Sequence, residues 1–325
     1  MTTIKVAVVG ASGESGQSIV NALLESTNPK FEVTALTRPQ SLNKPVNAQL
    51  QSRGVKIIPA DLRGPSEKLV EILTGIDVVI SAIYFNSLDD EYPLADAAKA
   101  AGVKRFVQSA LMIVIPPRGV VSFRDKKEEI LNYIQKIRLP YTYIDAGWWH
   151  QIMVPRLPSG RFDHILSPAH GDMPITLDGN VRTALSDLRD VGRYVARIIA
   201  DPRTLNKRVH VYNEVYTQNK VYELVERLTG EKLHRKYISD AEALAEVKNA
   251  REAYKQNPTD IRALGEWTAA QLLYSWGIRG DNTPEYAQYL GYMNGKELYP
   301  DFEYITFEDY VKEALEGKVK GVYQG

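Results

Sequence analysis

A short apolar strand, three evenly spaced glycines and an amphipathic helix open this chain. Ile4 to Val9 is a β-branched run interrupted only by Lys5 and Ala7, which predicts a buried strand. Gly10, Gly13 and Gly16 then read GxxGxxG, and Ile19, Val20, Leu23 and Leu24 fall on one helical face. Strand, glycine turn and helix in that order make a phosphate cradle. Glycine lets the backbone turn tightly and approach a pyrophosphate, and the helix N-terminus adds free N–H groups and a positive dipole end. An ordinary strand–helix turn is the competing explanation, and the context weighs against it. The candidate cradle residues are Gly10, Ser12, Gly13, Glu14, Ser15 and Gly16. Their spacing departs from GxGxxG, the simplest dinucleotide fingerprint.

The pattern then repeats. Phe31 to Leu36 predicts a second strand closing at Thr37-Arg38-Pro39. In a parallel nucleotide-binding sheet this edge meets the adenosine ribose, where a carboxylate holds the 2′-hydroxyl and a cation accommodates a 2′-phosphate. Arg38, with Lys44 just beyond, therefore points to NADPH over NADH, the alternative being a solvated loop arginine. Val55–Pro59, Asp77–Ser81, Val103–Ser109 and Leu139–Asp145 predict four more strands, separated by helical patterns. The alternation predicts an α/β fold: a Rossmann-type doubly wound parallel sheet with right-handed crossovers. Ligands of such sheets bind beyond the carboxyl ends of the strands. Gly10–Gly16, Arg38, Asp61, Leu62, Ser81, Ala82, Ile83, Tyr84 and Ser109–Met112 all belong to that edge.

After Pro116, Pro117 and Gly119, a helix is predicted from Ser122, with Ile130, Leu131, Ile134 and Ile137 as its buried face. Ser122 with Asp125 three residues on resembles a capping box. Arg124, Lys126 and Lys127 in the opening turns run against the macrodipole. Either Asp125, Glu128 and Glu129 neutralise them, or a lysine is placed to serve a site. Periodicity does not choose the lysine, because Lys126 lines up with Ile130 and Lys127 with Leu131. The sixth strand runs into Gly147-Trp148-Trp149-His150-Gln151, where paired tryptophans at this edge favour a ligand wall over core.

Beyond the break at Pro155–Gly160 the chain becomes mainly helical and rich in aromatics, including Trp267, Trp276, Tyr292 and Tyr299. Such a region could close over an apolar substrate, although any one aromatic is more often core. The expected organisation is a nucleotide-binding domain over 1–155, with segments near 180–212 packing back on it, and a substrate-binding cap over 156–325. Forty basic and forty acidic residues balance, so no nucleic-acid or membrane partner is expected. The absence of cysteine excludes disulfides, thiolate metal sites and a cysteine nucleophile, and the five histidines lack metal-ligand spacing. With the first strand expected from about residue 4, no signal or transit peptide is expected, and the compartment expected is cytoplasmic.

These residues resemble the NmrA-like and isoflavone reductase-like group of atypical short-chain dehydrogenases/reductases. The matching stretches are Gly10–Gly16, Arg38, Val103–Phe106, Phe123 to Lys126, and Pro140–Tyr143, and the likeness continues more loosely to Pro202. The resemblance implies an NADPH-dependent reductase that transfers hydride to a C=C, C=O or C=N bond of a small aromatic or secondary-metabolite substrate. It selects Lys126, not Lys127, as the active-site lysine, acting as acid/base or charge stabiliser and touching the cofactor. A helix N-terminus and neighbouring cations are expected to lower the pKa of Lys126. Ser109, Gly147 and Trp149 join the expected cofactor contacts, and Tyr84, Met112, Trp148, Trp149 and Gln151 the expected substrate contacts. Gln108–Met112 stands where plant reductases read Pro-Ser-Glu-Phe-Gly, so the substrate pocket is expected to be remodelled. The pair Tyr-x-x-x-Lys of ordinary short-chain dehydrogenases is absent, since Tyr133 and Lys136 have the wrong spacing. The alternative function is a non-catalytic NADP(H)-binding redox sensor acting through a protein partner. A monomer or homodimer is expected.

Overall fold

The computed structural model describes residues 3–166 and 173–323. In chain order the elements begin with β1 (Thr3–Val9), α1 (Glu14–Glu25), β2 (Lys30–Thr37), α2 (Pro45–Ser52), β3 (Lys56–Pro59) and α3 (Ser66–Leu73). They continue through β4 (Val78–Ser81), α4 (Glu91–Ala100), β5 (Arg105–Val107), α5 (Ser122–Lys136), β6 (Tyr141–Ala146), β7 (Trp148–Trp149) and α6 (His150–Met153). Next come β8 (Ile175–Thr176), β9 (Thr183–Ser186), α7 (Leu188–Ala200), β10 (Lys207–Val211), β11 (Glu214–Tyr216), α8 (Gln218–Thr229) and β12 (Tyr237–Ile238). The chain closes with α9 (Asp240–Gln256), α10 (Ile261–Leu273), α11 (Pro284–Tyr289), β13 (Met293–Asn294), α12 (Gly295–Leu298) and α13 (Phe307–Leu315). Two compact units result: one comprises 1–111, 126–145 and 188–211, the other 112–125, 146–187 and 212–325.

In the first unit the strands lie in the order β10-β6-β5-β4-β1-β2-β3. β1 pairs in parallel with β2 on one side and β4 on the other, with Val6 opposite both Val33 and Val78. The chain therefore winds outward from β1 to β3, returns to β4 and winds the other way. The crevice between the ends of β1 and β4 is the switch point at which such sheets bind nucleotides. Val6, Val8, Ala35, Val79, Ile80 and Phe106 are each sealed from solvent, as strands covered on both faces require. Complete burial of each large side chain contributes about 1.5–3 kcal/mol.

The first helix is held by the last part of the unit. Ser18 Oγ donates to Leu188 O at 2.5 Å and accepts from Gly192 N at 3.0 Å, so α7 lies directly on α1. A Cβ added at Gly192 would sit 2.2 Å from Ser18 O. Arg105, on β5, is also buried, and its guanidinium is spent on Ile198 O, Thr204 Oγ1 and Asp201 O. It is a structural cation.

The second unit contains a three-stranded sheet, β11-β9-β7, in which β9 runs parallel to β7 and antiparallel to β11. The Asn282 side chain ties it together, accepting from Val114 N and donating to Thr183 Oγ1 and Ala184 O. Helix α8 stops at Gly230, whose φ of 73° is left-handed, and α9 opens on a capping box formed by Ser239 and Glu242. Trp276, Tyr292, Tyr299, Phe302, Phe307 and Tyr310 are buried here as core, whereas Tyr289 is 82% exposed.

The Gly192 contact is a direct test of this packing. Gly192→Ala is expected to lose about 1–3 kcal/mol, the usual cost of overpacking, and to lower the urea midpoint with an unchanged slope.

Candidate active site

The glycine turn sits at the switch point because side chains do not fit there. Gly10 has φ +80°, and a Cβ on it would lie 2.3 Å from Ala82 O at the end of β4. A Cβ on Gly16 would fall 2.0 Å from Gly10 O. Gly13 is the N-cap of α1, bonds through its N–H to Gly10 O at 3.0 Å, and brings no side chain to cap the first turn. The twelve-residue helix thus presents its N-terminus without a side-chain cap, which is the condition for holding a phosphate. Ser12 and Ser15 are half-buried beside it, and Glu14 is acidic in the first turn.

Arg38 is exposed immediately after β2, where it opens a 3₁₀ turn, and Lys44 is exposed at the N-cap of α2. Asp61 is exposed after β3 and accepts from Arg63 N, while Leu62 is 7% exposed and belongs to the core. Ser81 is sealed, and Ala82 and Ile83 are half-buried, with Ile83 O accepting from Ser109 Oγ at 3.0 Å. Tyr84 is 54% exposed and rests on Phe85, ring centroids 4.4 Å apart. One edge of the first unit therefore assembles the glycine turn, the β4 end, Ser109 and Tyr84.

Helix α5 resolves the ambiguity of its three cations. Arg124 is fully buried and donates to Tyr292 Oη at 2.9 Å. Lys126 keeps a third of its side chain exposed and pairs with Asp89 Oδ1 at 2.7 Å, with Glu129 at 3.7 Å. Its Nζ also lies 5.1 Å from the Tyr92 ring centroid. Lys127 is buried and donates to Ala110 O at 2.8 Å. Neutralisation within the helix describes them only in part: Glu129 lies near Lys126, but Glu128 pairs with Arg208 and Asp125 accepts from Gly119 N. Ser122 is not the expected cap either. It is already helical and donates to Gln271 Oε1, because a glutamine on α10 reaches it.

The expected lowering of the Lys126 pKa is overturned. The hydrogen bond and charge of Asp89, with Tyr92 and Glu129, hold it above the ordinary lysine value and outweigh partial burial. Sequence reading missed Asp89 and Glu91. A run of acids, Asp89-Asp90-Glu91, between an apolar strand and a helix was the available signal.

In the second unit, Trp148 is 8% exposed and packs on Trp276 with ring centroids 5.7 Å apart, so it is core and not an open wall. Trp149 stays half-buried, stacked at 6.1 Å on Tyr323. Gly147 is buried, its N–H given to Ser186 Oγ, and a Cβ there would meet Leu185 C at 2.7 Å. Met112 is half-buried and Gln151 is buried. An open cleft of about 520 Å³ lined by Tyr216, Lys220, Arg227 and Glu308 contains none of these residues and carries an Arg227–Glu308 ion pair. Among the described residues no cluster of three or more histidines, cysteines or carboxylates could hold a metal. No described helix is long and apolar enough to cross a membrane.

A parallel sheet with a glycine turn at its switch point defines a Rossmann-type dinucleotide-binding protein. The chain belongs to the NmrA-like family, whose model matches residues 2–311. It is 58% identical over 315 residues to asnovolin J 5′,6′-dehydrogenase of Aspergillus novofumigatus, covering 97% of this chain and 96% of that protein. It is 30% identical to a probable pinoresinol-lariciresinol reductase of Arabidopsis thaliana, over 96% and 97% of the two chains. Its fold matches the leucoanthocyanidin reductase–NADPH complex from Vitis vinifera, with a TM-score of 0.79, 23% identity and coverage of 96% and 99%. The chain is an oxidoreductase.

The ion pair makes a prediction about Lys126. Asp89→Asn is expected to bring its pKa down toward the ordinary lysine value, read from the ¹³C shift of reductively methylated Lys126 across pH. The pair's stabilisation is present below that value and fades only as pH rises through the raised one. Because the pair is largely exposed, stability at pH 7 should change by less than about 1 kcal/mol.

Proposed function

We propose that this chain transfers hydride between NADP(H) and a carbon of a small secondary metabolite, at a carbon–carbon bond conjugated to a carbonyl group. The observation that carries the reading is the switch-point turn, closed to any side chain at Gly10 and followed on the next strand by Arg38. The cofactor is NADPH/NADP+. The uncapped first turn of α1 fits a pyrophosphate, with the backbone of Gly10 to Gly16 and the hydroxyls of Ser12 and Ser15 approaching it. Glu14 serves through its backbone, since its carboxylate would repel the phosphates. Arg38 and Lys44 would hold the 2′-phosphate, and Ala82, Ile83 and Ser109 the nicotinamide end.

The nicotinamide supplies or accepts the hydride. The protein handles the charge. As hydride reaches or leaves a carbon conjugated to a carbonyl, negative charge gathers on the oxygen, and Lys126 Nζ is the group proposed to hold it. Its raised pKa keeps it an ammonium at neutral pH, so it serves as a positive charge and hydrogen-bond donor more than as a proton source. Asp89 must then yield Lys126 to the substrate. The identity to a 5′,6′-dehydrogenase supports a carbon–carbon bond as the reacting group, in either direction. Tyr84, on the same edge as the glycine turn, is the aromatic surface proposed to suit an apolar, aromatic substrate.

Two substitutions test this. Lys126→Met is expected to leave NADPH affinity within about threefold while turnover of α,β-unsaturated ketones and lactones, or of their saturated forms with NADP+, falls about 10²–10³-fold. Unchanged turnover would remove Lys126 from the chemistry. Arg38→Glu is expected to reduce the preference for NADPH over NADH by about 10–100-fold in fluorescence titrations, the value of one or two charge-assisted hydrogen bonds.

A further inference from the structure

Behind the Lys126–Asp89 pair lies a second acid and lysine, both buried. Glu91 opens α4 and is sealed, and Lys127, the neighbour of Lys126, is 5% exposed. Both grip the same four residues beyond β5. Glu91 Oε1 accepts from Ser109 N at 2.7 Å, Lys127 Nζ donates to Ala110 O at 2.8 Å, and Gln108 Nε2 donates to Lys127 O at 2.7 Å. The segment they grip is tightly folded. Ala110 N bonds back to Gln108 O at 2.7 Å, and Leu111 is held at φ +47°, a left-handed conformation costly for a leucine. Its hydroxyl-bearing member, Ser109, reaches Ile83 O from here.

We propose that Glu91 and Lys127 are a buried positioning pair that holds residues 108–111 in this strained form at the nicotinamide end of the cofactor site. The proposal rests on the NADP(H) reading above. A buried charge persists only when it is paired or hydrogen-bonded; each member here is hydrogen-bonded to the segment, and the charge of Lys127 favours the Glu91 carboxylate. The strain at Leu111 persists only if its surroundings over-determine it, and two charged side chains gripping adjacent peptides do so. Burial raises the Glu91 carboxyl to about 7, against the opposing pull of the Ser109 N–H, Ser81, Lys127 and Gln108. Of the acids beside Glu91 in the chain, Asp89 pairs with Lys126 and Asp90 with Arg63. Protonation below that pH removes the carboxylate's attraction for Lys127 and weakens its bond from the Ser109 N–H, so the segment should loosen as pH falls through 7.

The test uses the whole chain and two readouts that need no substrate: amide exchange at Ser109–Leu111 without cofactor, and NADPH affinity by fluorescence. In the wild type, exchange corrected for its intrinsic pH dependence should speed up at least fivefold from pH 8 to pH 6, and NADPH should bind at least fivefold more weakly. Glu91→Gln, nearly isosteric and still an acceptor for Ser109 N–H, should make both readouts flat over that range relative to the wild type. Lys127→Met should show fast exchange at both pH values; if it does not fold, Glu91→Gln alone decides. A wild type that binds NADPH but shares its pH dependence with Glu91→Gln in both readouts overturns the pair and leaves the reading intact. A wild type that does not bind NADPH overturns the reading, and the pair's role falls with it.

Discussion

The peptide of Gly10 passes so close to the carbonyl of Ala82 that no β-carbon fits between them. Much of the first unit depends on that approach. It lets β1 end against β4, which places the reversal of strand order where the helix N-terminus of α1 points outward. The same closeness recurs at Gly16 over Gly10 and at Gly192 over Ser18, so the N-terminal half of α1 is seated by backbone contact at two points. Side-chain packing could tolerate small adjustments in volume. Backbone against backbone does not, and that rigidity fixes the direction of the helix dipole relative to the sheet edge.

Next to this rigid edge stands a set of charges arranged in two layers. Asp89 and Lys126 form the outer layer, open to water, and Glu91 and Lys127 the inner one, closed to it. The same two residue types thus do different work according to depth. In water an ion pair is cheap to break, so Lys126 can be released to another partner. Below the surface a lone charge is costly, so the inner lysine is committed to the Ala110 carbonyl. The outer pair also changes the chemistry assigned to Lys126, from a lysine eased toward neutrality to one kept firmly cationic.

Residues 108–111, within the stretch where the resemblance led us to expect a remodelled pocket, are the ones that Glu91 and Lys127 grip. Membership of the NmrA-like family goes with the fold, while these buried contacts set the backbone of residues 108–111.

The strand-and-helix alternation, the glycine turn and the arginine after the second strand were all legible in the sequence. Each depends on contacts within a few residues or on a periodicity that burial imposes. The choice of Lys126 over Lys127 rests on the resemblance alone, because lysines one residue apart both line up with buried positions of the helix. What tertiary structure alone decided was the partner of each polar group. Ser122 has the residue type of a cap but meets Gln271, Trp148 has the size of a pocket wall but meets Trp276, and Lys126 lies in the first turns of a helix but meets Asp89. Those partners lie 149, 128 and 37 residues away in the chain. Local sequence determines which conformation a segment adopts; the folded chain determines what each side chain faces, and hence its charge and its role.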